Sequence, residues 1–196
     1  MKLTEEQKEG LGIALNEATL LGLEVDPQRR IAEATFSVLA LPEAGPAPED
    51  TRVQMLFEPV GRLAASLRLG HWDDASVEVV TFSIEELLVQ VQSFGGCPIY
   101  GWEFFDVHEK DFSQWKDRLS IDWQRGEGGR EHTISLFQEG DERHLDICLW
   151  FDGFLIRNAA GNEISIVDFI AGGRRWWDAF WAKDPRTLGK GMYPID

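Results

Sequence analysis

The sequence is poor in cysteine: it has two, Cys97 and Cys148, in 196 residues. Two cysteines in a chain of this length cannot form the disulfide framework that staples small secreted domains. We therefore expect a protein of a reducing compartment and predict a cytoplasmic location. The sequence leaves open whether the two cysteines are free thiols.

Long hydrophobic runs are also lacking. The longest uncharged stretch, Leu87 to Trp102, is interrupted by Gly95, Gly96 and Pro98 and is too short to cross a bilayer as a helix. The N-terminal segment carries carboxylates where a secretory leader needs a basic start and an apolar run. We expect neither a membrane protein nor an exported one.

The common catalytic and nucleotide-binding motifs are missing, including the P-loop, the dinucleotide glycine fingerprint, the nucleophile elbow, HExxH and CxxC. Five potential metal ligands or acid–base groups lie within nine residues, at Glu103, Asp106, His108, Glu109 and Asp111. Their spacing fits no known metal site, and a solvated strand end explains them more simply. We predict no catalytic residues, no metal and no cofactor, and we favour a protein that is not an enzyme.

Basic residues are scarce, with 19 Lys and Arg against 34 Asp and Glu, for a formal net charge of −15. Such a charge repels phosphate backbones and anionic membrane surfaces, so nucleic acid and membrane are not expected partners. The excess lies before about residue 150, because the chain from Phe151 onward carries equal numbers of both signs. Acidity of this kind serves solubility, or it forms a surface for a basic protein partner.

Alternation of apolar and polar residues predicts several β-strands. Two alternating runs, 19–25 and 32–40, flank a turn at 26–29 and predict a β-hairpin. A proline-rich segment, 42–50, predicts a surface loop. Two further runs, 53–57 and 63–69, predict strands with a bend or bulge between them at Pro59 and Gly61, and the aromatic-rich stretch 99–105 predicts another strand.

Capping signals predict three helices. Thr4 opens a short first helix that Gly10 and Gly12 should end early, and Ser83 opens a mid-chain helix reaching Phe94. Ser165 caps a C-terminal helix that stops at 184–185. Its apolar stripe needs a cover, for which the sheet is the natural candidate; the stripe comprises Ile166, Phe169, Ile170, Gly173, Trp177, Phe180 and Trp181.

The strands after residue 118 can be read in more detail, because strand register decides which side chains share a face. A four-residue turn at 139–142 pairs Ile134 with Ile147, and a turn at 126–129 pairs Ile121 with Ile134. Both turns predict one apolar face, with Leu119, Ile121, Trp123, Ile134, Leu136, Leu145, Ile147, Leu149 and Phe151. The opposite, polar face then carries Ser120, Asp122, Thr133, Ser135, Phe137, His144, Asp146, Cys148 and Trp150.

Together these patterns predict a single α+β domain over residues 1–196, mainly antiparallel β-sheet, as one curved sheet or two packed sheets. A mid-chain helix and a C-terminal helix packed on the sheet complete it.

The polar face is the candidate binding site, because hydroxyls and carboxylates framed by aromatic rings can hold a polar ligand or a partner. The residues selected for ligand or partner binding are Asp122, Ser135, His144, Asp146 and Trp150. The leading hypothesis is a non-enzymatic protein–protein interaction domain, with a basic protein as the possible partner. The alternative is a small-ligand-binding or hydrolase-like domain that uses this face, and a homo-oligomer is a third possibility.

Overall fold

The computed structural model describes residues 2–74, 76–107, 118–123, 128–140 and 142–188. Within them, eight strands form one curled antiparallel sheet that packs with three α-helices, which confirms the α+β class. The elements are α1 Glu5–Leu15, β1 Thr19–Asp26, β2 Ile31–Ser37, β3 Arg52–Leu69, β4 Glu78–Val80, α2 Leu87–Gln92, β5 Leu119–Asp122, β6 His132–Gly140, β7 Arg143–Asn158, β8 Glu163–Ile164 and α3 Ile166–Trp181.

The strands run in the order β1-β2-β3-β7-β6, with β4 and β5 also paired to β3 and β8 paired to β7. The predicted β1–β2 hairpin is confirmed. Its turn is stabilised by Asp26, whose Oδ1 accepts hydrogen bonds from the backbone N–H groups of Gln28 and Arg29, both at 3.0 Å.

Strand β3 is the longest in the sheet and pairs with β7 along its whole length. The predicted irregularity near Gly61 is a bulge between Val60 and Arg62 inside one continuous strand. Val53, Met55 and Phe57 before the bulge and Leu63, Ala65 and Leu67 after it face the core. Val60 is also buried in the core, so the alternation is interrupted once between Phe57 and Val60 and again at the bulge.

The register predicted for the last strands is wrong, although the faces are right. Gly140 pairs with Arg143, so only two residues separate β6 from β7, and Ile134 lies opposite Leu149 rather than Ile147. A shift of two residues leaves each side chain on its predicted face. The predicted pairing of Ile121 with Ile134 is also wrong, since β5 pairs with β3 and Ile121 lies opposite Leu63.

The first helix continues through both of its glycines, contrary to the sequence-based expectation. Gly10 lies against Ile170 of α3, where a Cβ would come 2.6 Å from the Ile170 side chain. At Gly12, a Cβ would overlap the carbonyl oxygen of Trp102. Close packing on both sides therefore offsets the low helix propensity of glycine.

The middle of the chain is less regular than predicted. Ser83 opens a 3₁₀ turn that leads into the six-residue α2, and its backbone N–H donates to Glu86 Oε2 at 2.7 Å. The strand predicted over 99–105 is wrong: this segment runs along the edge of β6 and makes only isolated bridges to it, from Ile99 to Gln138 and from Phe105 to Ile134.

The C-terminal helix α3 begins after its predicted N-cap, Ser165, and packs into the core of the sheet through Phe169 and Ile170. The predicted stripe is wrong at its end, because Trp181 is 74% exposed whereas Trp176 is 2% exposed. Trp176 and Ala179 pack instead with Leu41 in a small cluster separate from the main core.

Candidate functional site

The five residues selected from the sequence lie on the sheet face that points away from the main core. Asp122 and Trp150 lie in one cross-strand row on either side of a β3 residue, Arg62. Ser135 lies opposite Cys148 in the next row. His144 lies six residues from Trp150 on β7, about 20 Å along the strand, so the five side chains share a face without converging on one pocket.

The sequence-based assignment missed the arginines that β3 contributes to this face. The guanidinium of Arg62 lies 4.8 Å from the ring centroid of Trp150, and Arg68 lies 3.4 Å from the carboxylate of Asp146. Arg62 and Arg68 are an even number of residues apart on β3, so they point to the same face. Only the long-range pairing of β3 with β7 places them beside the predicted site.

Asp122 is also paired with an arginine, Arg130. Both predicted carboxylates of the face, Asp122 and Asp146, therefore have cationic partners. Among the described residues, Arg62, Arg68 and Arg130 lie on or beside the face, so it is not the acidic surface that the net charge suggested.

Part of the polar face is buried. His144 is 1% exposed and its Nδ1 lies 3.1 Å from the Gly70 carbonyl oxygen, which accepts the hydrogen bond from Nδ1–H. Cys148 and Trp150 are also buried, and the Ser135 hydroxyl donates to Cys148 Sγ at 3.7 Å. These contacts fix the side chains in place and leave Asp122 as the exposed member of the five.

A second set of polar residues joins α1 to the start of β6. Asp106 accepts hydrogen bonds from Lys8 Nζ at 2.7 Å, from His132 Nδ1 at 3.0 Å and from the backbone N–H of Thr133 at 2.9 Å. Burial raises the pKa of the Asp106 carboxyl, but the hydrogen bonds from these three donors outweigh it, so the pKa lies below its ordinary value.

Asp106 and His132 also line a cavity of about 360 Å³, together with Trp150. Of the residues in the predicted cluster near Asp106, the structure describes Glu103, while His108, Glu109 and Asp111 lie outside the described residues. In the part of the chain that is described, no group of three or more His, Cys, Asp or Glu side chains could hold a metal ion.

A different surface stands out for its exposed aromatic rings. Trp102 is 60% exposed and Trp181 is 74% exposed. Trp102 lies 5.8 Å from Trp177, which lies 5.9 Å from Phe180, and Phe180 lies 5.2 Å from Trp181, measured between ring centroids. We call Trp102, Trp177, Phe180 and Trp181 the aromatic patch.

The aromatic patch is held in place by buried contacts. Trp177 Nε1–H donates to the Ile13 carbonyl oxygen at 3.1 Å, and Trp176 stacks on Phe180 with ring centroids 5.3 Å apart. The sequence contained a signal for this patch, since α3 has more aromatic residues than one buried stripe can accommodate, but it did not indicate which of them are exposed.

Among the described residues, exposed carboxylates stand next in sequence to two rings of the aromatic patch. Glu103 is adjacent to Trp102, Asp178 is adjacent to Trp177, and Glu9 lies one helical turn before Gly12 and Ile13 on α1; all three are exposed. The exposed basic side chains at comparable positions are Arg174 and Lys183.

Comparison with known proteins finds no matching family model, no matching curated protein and no matching solved structure. Among the helices within the described ranges, none has the length and apolar character needed to span a membrane.

Proposed function

We propose that this protein is a non-enzymatic interaction protein that binds a basic protein partner through the aromatic patch. The observation that carries the proposal is the exposure of Trp102 and Trp181, at 60% and 74%, in a connected group of rings. Burying large exposed apolar side chains against a partner is favourable, and tryptophan is enriched among the residues that dominate binding energy at interfaces.

The rigidity of the patch supports this proposal. Because Trp177 is anchored to α1 and Phe180 stacks on buried Trp176, a partner would bind rings that are already ordered. Preorganised aromatic side chains reduce the entropy cost of association.

Charge favours a basic partner over an acidic one. The net charge of −15 attracts a basic protein within about a Debye length, and the exposed carboxylates Glu103 and Asp178 are sequence neighbours of Trp102 and Trp177. The predicted polar face supports such a partner less well, because Arg130 and Arg68 pair with the carboxylates of Asp122 and Asp146.

A hydrolase-like function of the polar face also has less support. A general base and a nucleophile must lie within hydrogen-bonding reach of one reacting group. His144 is buried with Nδ1 bonded to Gly70, about 20 Å along the sheet from the row of Trp150 and Asp122.

The test is affinity capture from a native lysate at low salt with the wild-type protein and with a Trp102→Ser, Trp181→Ser double variant. We expect a basic protein to be captured stoichiometrically by the wild type, released at high salt, and lost with the double variant. The exposure of both tryptophans means that the double variant should fold with little loss of stability.

Trp72→Ser is the matched control, because Trp72 is 58% exposed but lies in the loop after β3, outside the aromatic patch. It should capture the same protein as the wild type. The proposal is wrong if no basic protein is captured by Trp72→Ser and lost with the double variant. Light scattering distinguishes self-association from binding of another protein. If the wild type is a dimer and the double variant is a monomer, the partner is a second copy of the chain.

A further inference from the structure

A cavity of about 480 Å³ lies between the beginning of α3, the beginning of β3 and the segment that precedes the proline-rich loop. Its volume falls within the range of small-molecule binding sites. Most of its wall is apolar, formed by Val38, Leu41, Val53, Ile164, Phe169 and Gly172. The cavity is separate from the aromatic patch and from the predicted polar face.

Several polar groups at the wall are already engaged within the protein. Thr51 Oγ1 lies 2.9 Å from Ser37 Oγ, and Asn158 Oδ1 accepts two backbone hydrogen bonds from the turn that follows it, both at 3.0 Å. The Asp168 carboxylate accepts from the Ser165 hydroxyl at 2.6 Å as part of the helix cap.

A charged pair at the same wall is also internally satisfied. The guanidinium of Arg52 donates to both carboxylate oxygens of Asp50, from Nε to Oδ1 at 2.9 Å and from Nη2 to Oδ2 at 2.6 Å. These hydrogen bonds lower the pKa of Asp50 to about 2, so the pair remains ionised over the ordinary pH range. Its two charges offset each other.

Arg175 differs from the other polar residues of the wall. Its Nε–H donates to the Leu41 carbonyl oxygen at 2.9 Å, and this is its one hydrogen bond among the described residues. The Nη2 atom lies beside Gly172, 3.9 Å from where a Cβ would stand. The half-buried guanidinium is thus oriented by one bond and lines the apolar cavity, and its two terminal amino groups make no hydrogen bond to the described residues.

We propose that this cavity binds a small amphipathic carboxylate, with the carboxylate group on the Nη atoms of Arg175 and the apolar body against Val53, Ile164 and Phe169. The two Nη groups present parallel donors that match the two oxygens of a carboxylate. The apolar wall supplies the burial free energy for a hydrocarbon or aromatic body.

The charge arrangement favours a carboxylate over an amine. The remaining anion, Asp168, lies seven residues before Arg175 on α3, about 10 Å away along the helix axis. A ligand carboxylate on Arg175 would therefore lie at the end of the cavity away from this like charge, and the cap hydrogen bonds already engage Asp168.

The experiment measures binding of octanoate and 2-naphthoate to the full chain by ligand-observed NMR and calorimetry, with octanol and octylamine as head-group controls. We expect saturable binding of both carboxylates and at least tenfold weaker binding of octanol and octylamine. Arg175→Met should weaken octanoate binding by about tenfold or more, the effect of losing a charge-assisted hydrogen bond. Arg174→Met, which removes the neighbouring exposed arginine, should leave binding unchanged.

A second variant guards against a folding defect in Arg175→Met, which also loses the bond to Leu41. Gly172→Leu keeps the guanidinium but fills the cavity, and it should abolish binding while circular dichroism reports an intact fold. The proposal would be overturned if octanol bound as tightly as octanoate, if octylamine bound more tightly, or if no carboxylate showed saturable binding at millimolar concentration. Octanoate binding that is unchanged in Arg175→Met or in Gly172→Leu would also overturn it.

Discussion

On one side of α3, Gly173 lies against Ala14 of α1, where a Cβ would come 2.6 Å from the Ala14 Cα atom. On the other side, Gly172 borders the apolar cavity, and the atom nearest to its would-be Cβ is the Ala40 Cβ at 3.5 Å, an ordinary van der Waals distance. The two glycines are adjacent, yet one is required by close helix packing and the other lines an open space. The side of α3 that faces α1 is closed, and the side that faces β3 can accept a ligand.

The largest expected effect is that of Gly173→Ala on the closed side. The new methyl group would overlap backbone atoms of α1, which cannot move aside as a flexible side chain can. We expect a loss of about 1–3 kcal/mol in the free energy of unfolding, the usual cost of overpacking. Chemical denaturation monitored by tryptophan fluorescence measures it, and an unchanged midpoint would contradict the closed packing.

Asp106→Asn tests the ion pair that holds α1 against the start of β6. Asp106 has φ +54°, a conformation that asparagine also tolerates, so the variant isolates the loss of charge toward Lys8 and His132. We expect a destabilisation of about 2 kcal/mol near neutral pH. Urea denaturation measures it, with Asp26→Asn as a control carboxylate that caps a turn away from α1.

The pH dependence of this variant has a definite sign. The pKa of Asp106 is lowered in the folded protein, so its contribution to stability is present above the unfolded-state pKa and disappears as pH falls through the lower folded-state value. The pKa of Lys8 is raised by its hydrogen bond to Asp106, so that contribution is present below the unfolded-state pKa and disappears as pH rises through the folded-state value. The difference between wild type and Asp106→Asn should therefore shrink at acidic pH, and a constant difference would be inconsistent with this ion pair.

Trp177→Phe tests the hydrogen bond that joins the two helices. The substitution keeps an aromatic ring in the patch but removes the Nε1–H that donates to the Ile13 carbonyl oxygen. We expect a loss of about 1 kcal/mol in thermal or chemical unfolding. Trp181→Phe is the control, since Trp181 is largely exposed, and its effect should be small.

Local patterns predicted those parts of the fold that depend on neighbouring residues. The β1–β2 hairpin, the bulge near Gly61, the Ser165 cap and the two faces of β6 and β7 follow from alternation and capping, which act over a few residues. The pairing of β3 with β5 and β7 was not predicted, because several strands have the same apolar period and the sequence does not rank them as partners.

The same limit explains what was missed at the site. Asp146 and Trp150 were placed on the correct face, but their partners Arg68 and Arg62 lie about eighty residues earlier in the chain. Periodicity assigned Trp181 to a buried stripe, but in the structure Trp181 is exposed and Trp176 is buried instead. The continuation of α1 through Gly10 was likewise decided by packing on Ile170, which outweighs intrinsic helix propensity.

Gly172→Ala gives the smallest expected effect, and one of opposite sign. The methyl group meets no atom closer than 3.5 Å, and alanine is favoured over glycine inside a helix by about 1 kcal/mol at most. We therefore expect a slight rise in the midpoint of thermal unfolding, while Gly173→Ala, one residue further along α3, lowers it. Because the added methyl group stands at the cavity wall beside Arg175, it should also weaken octanoate binding. The change in the binding free energy should be larger than the change in the free energy of unfolding. A fall in stability as large as that of Gly173→Ala would mean that both sides of α3 are closely packed, and the contrast between them would be lost.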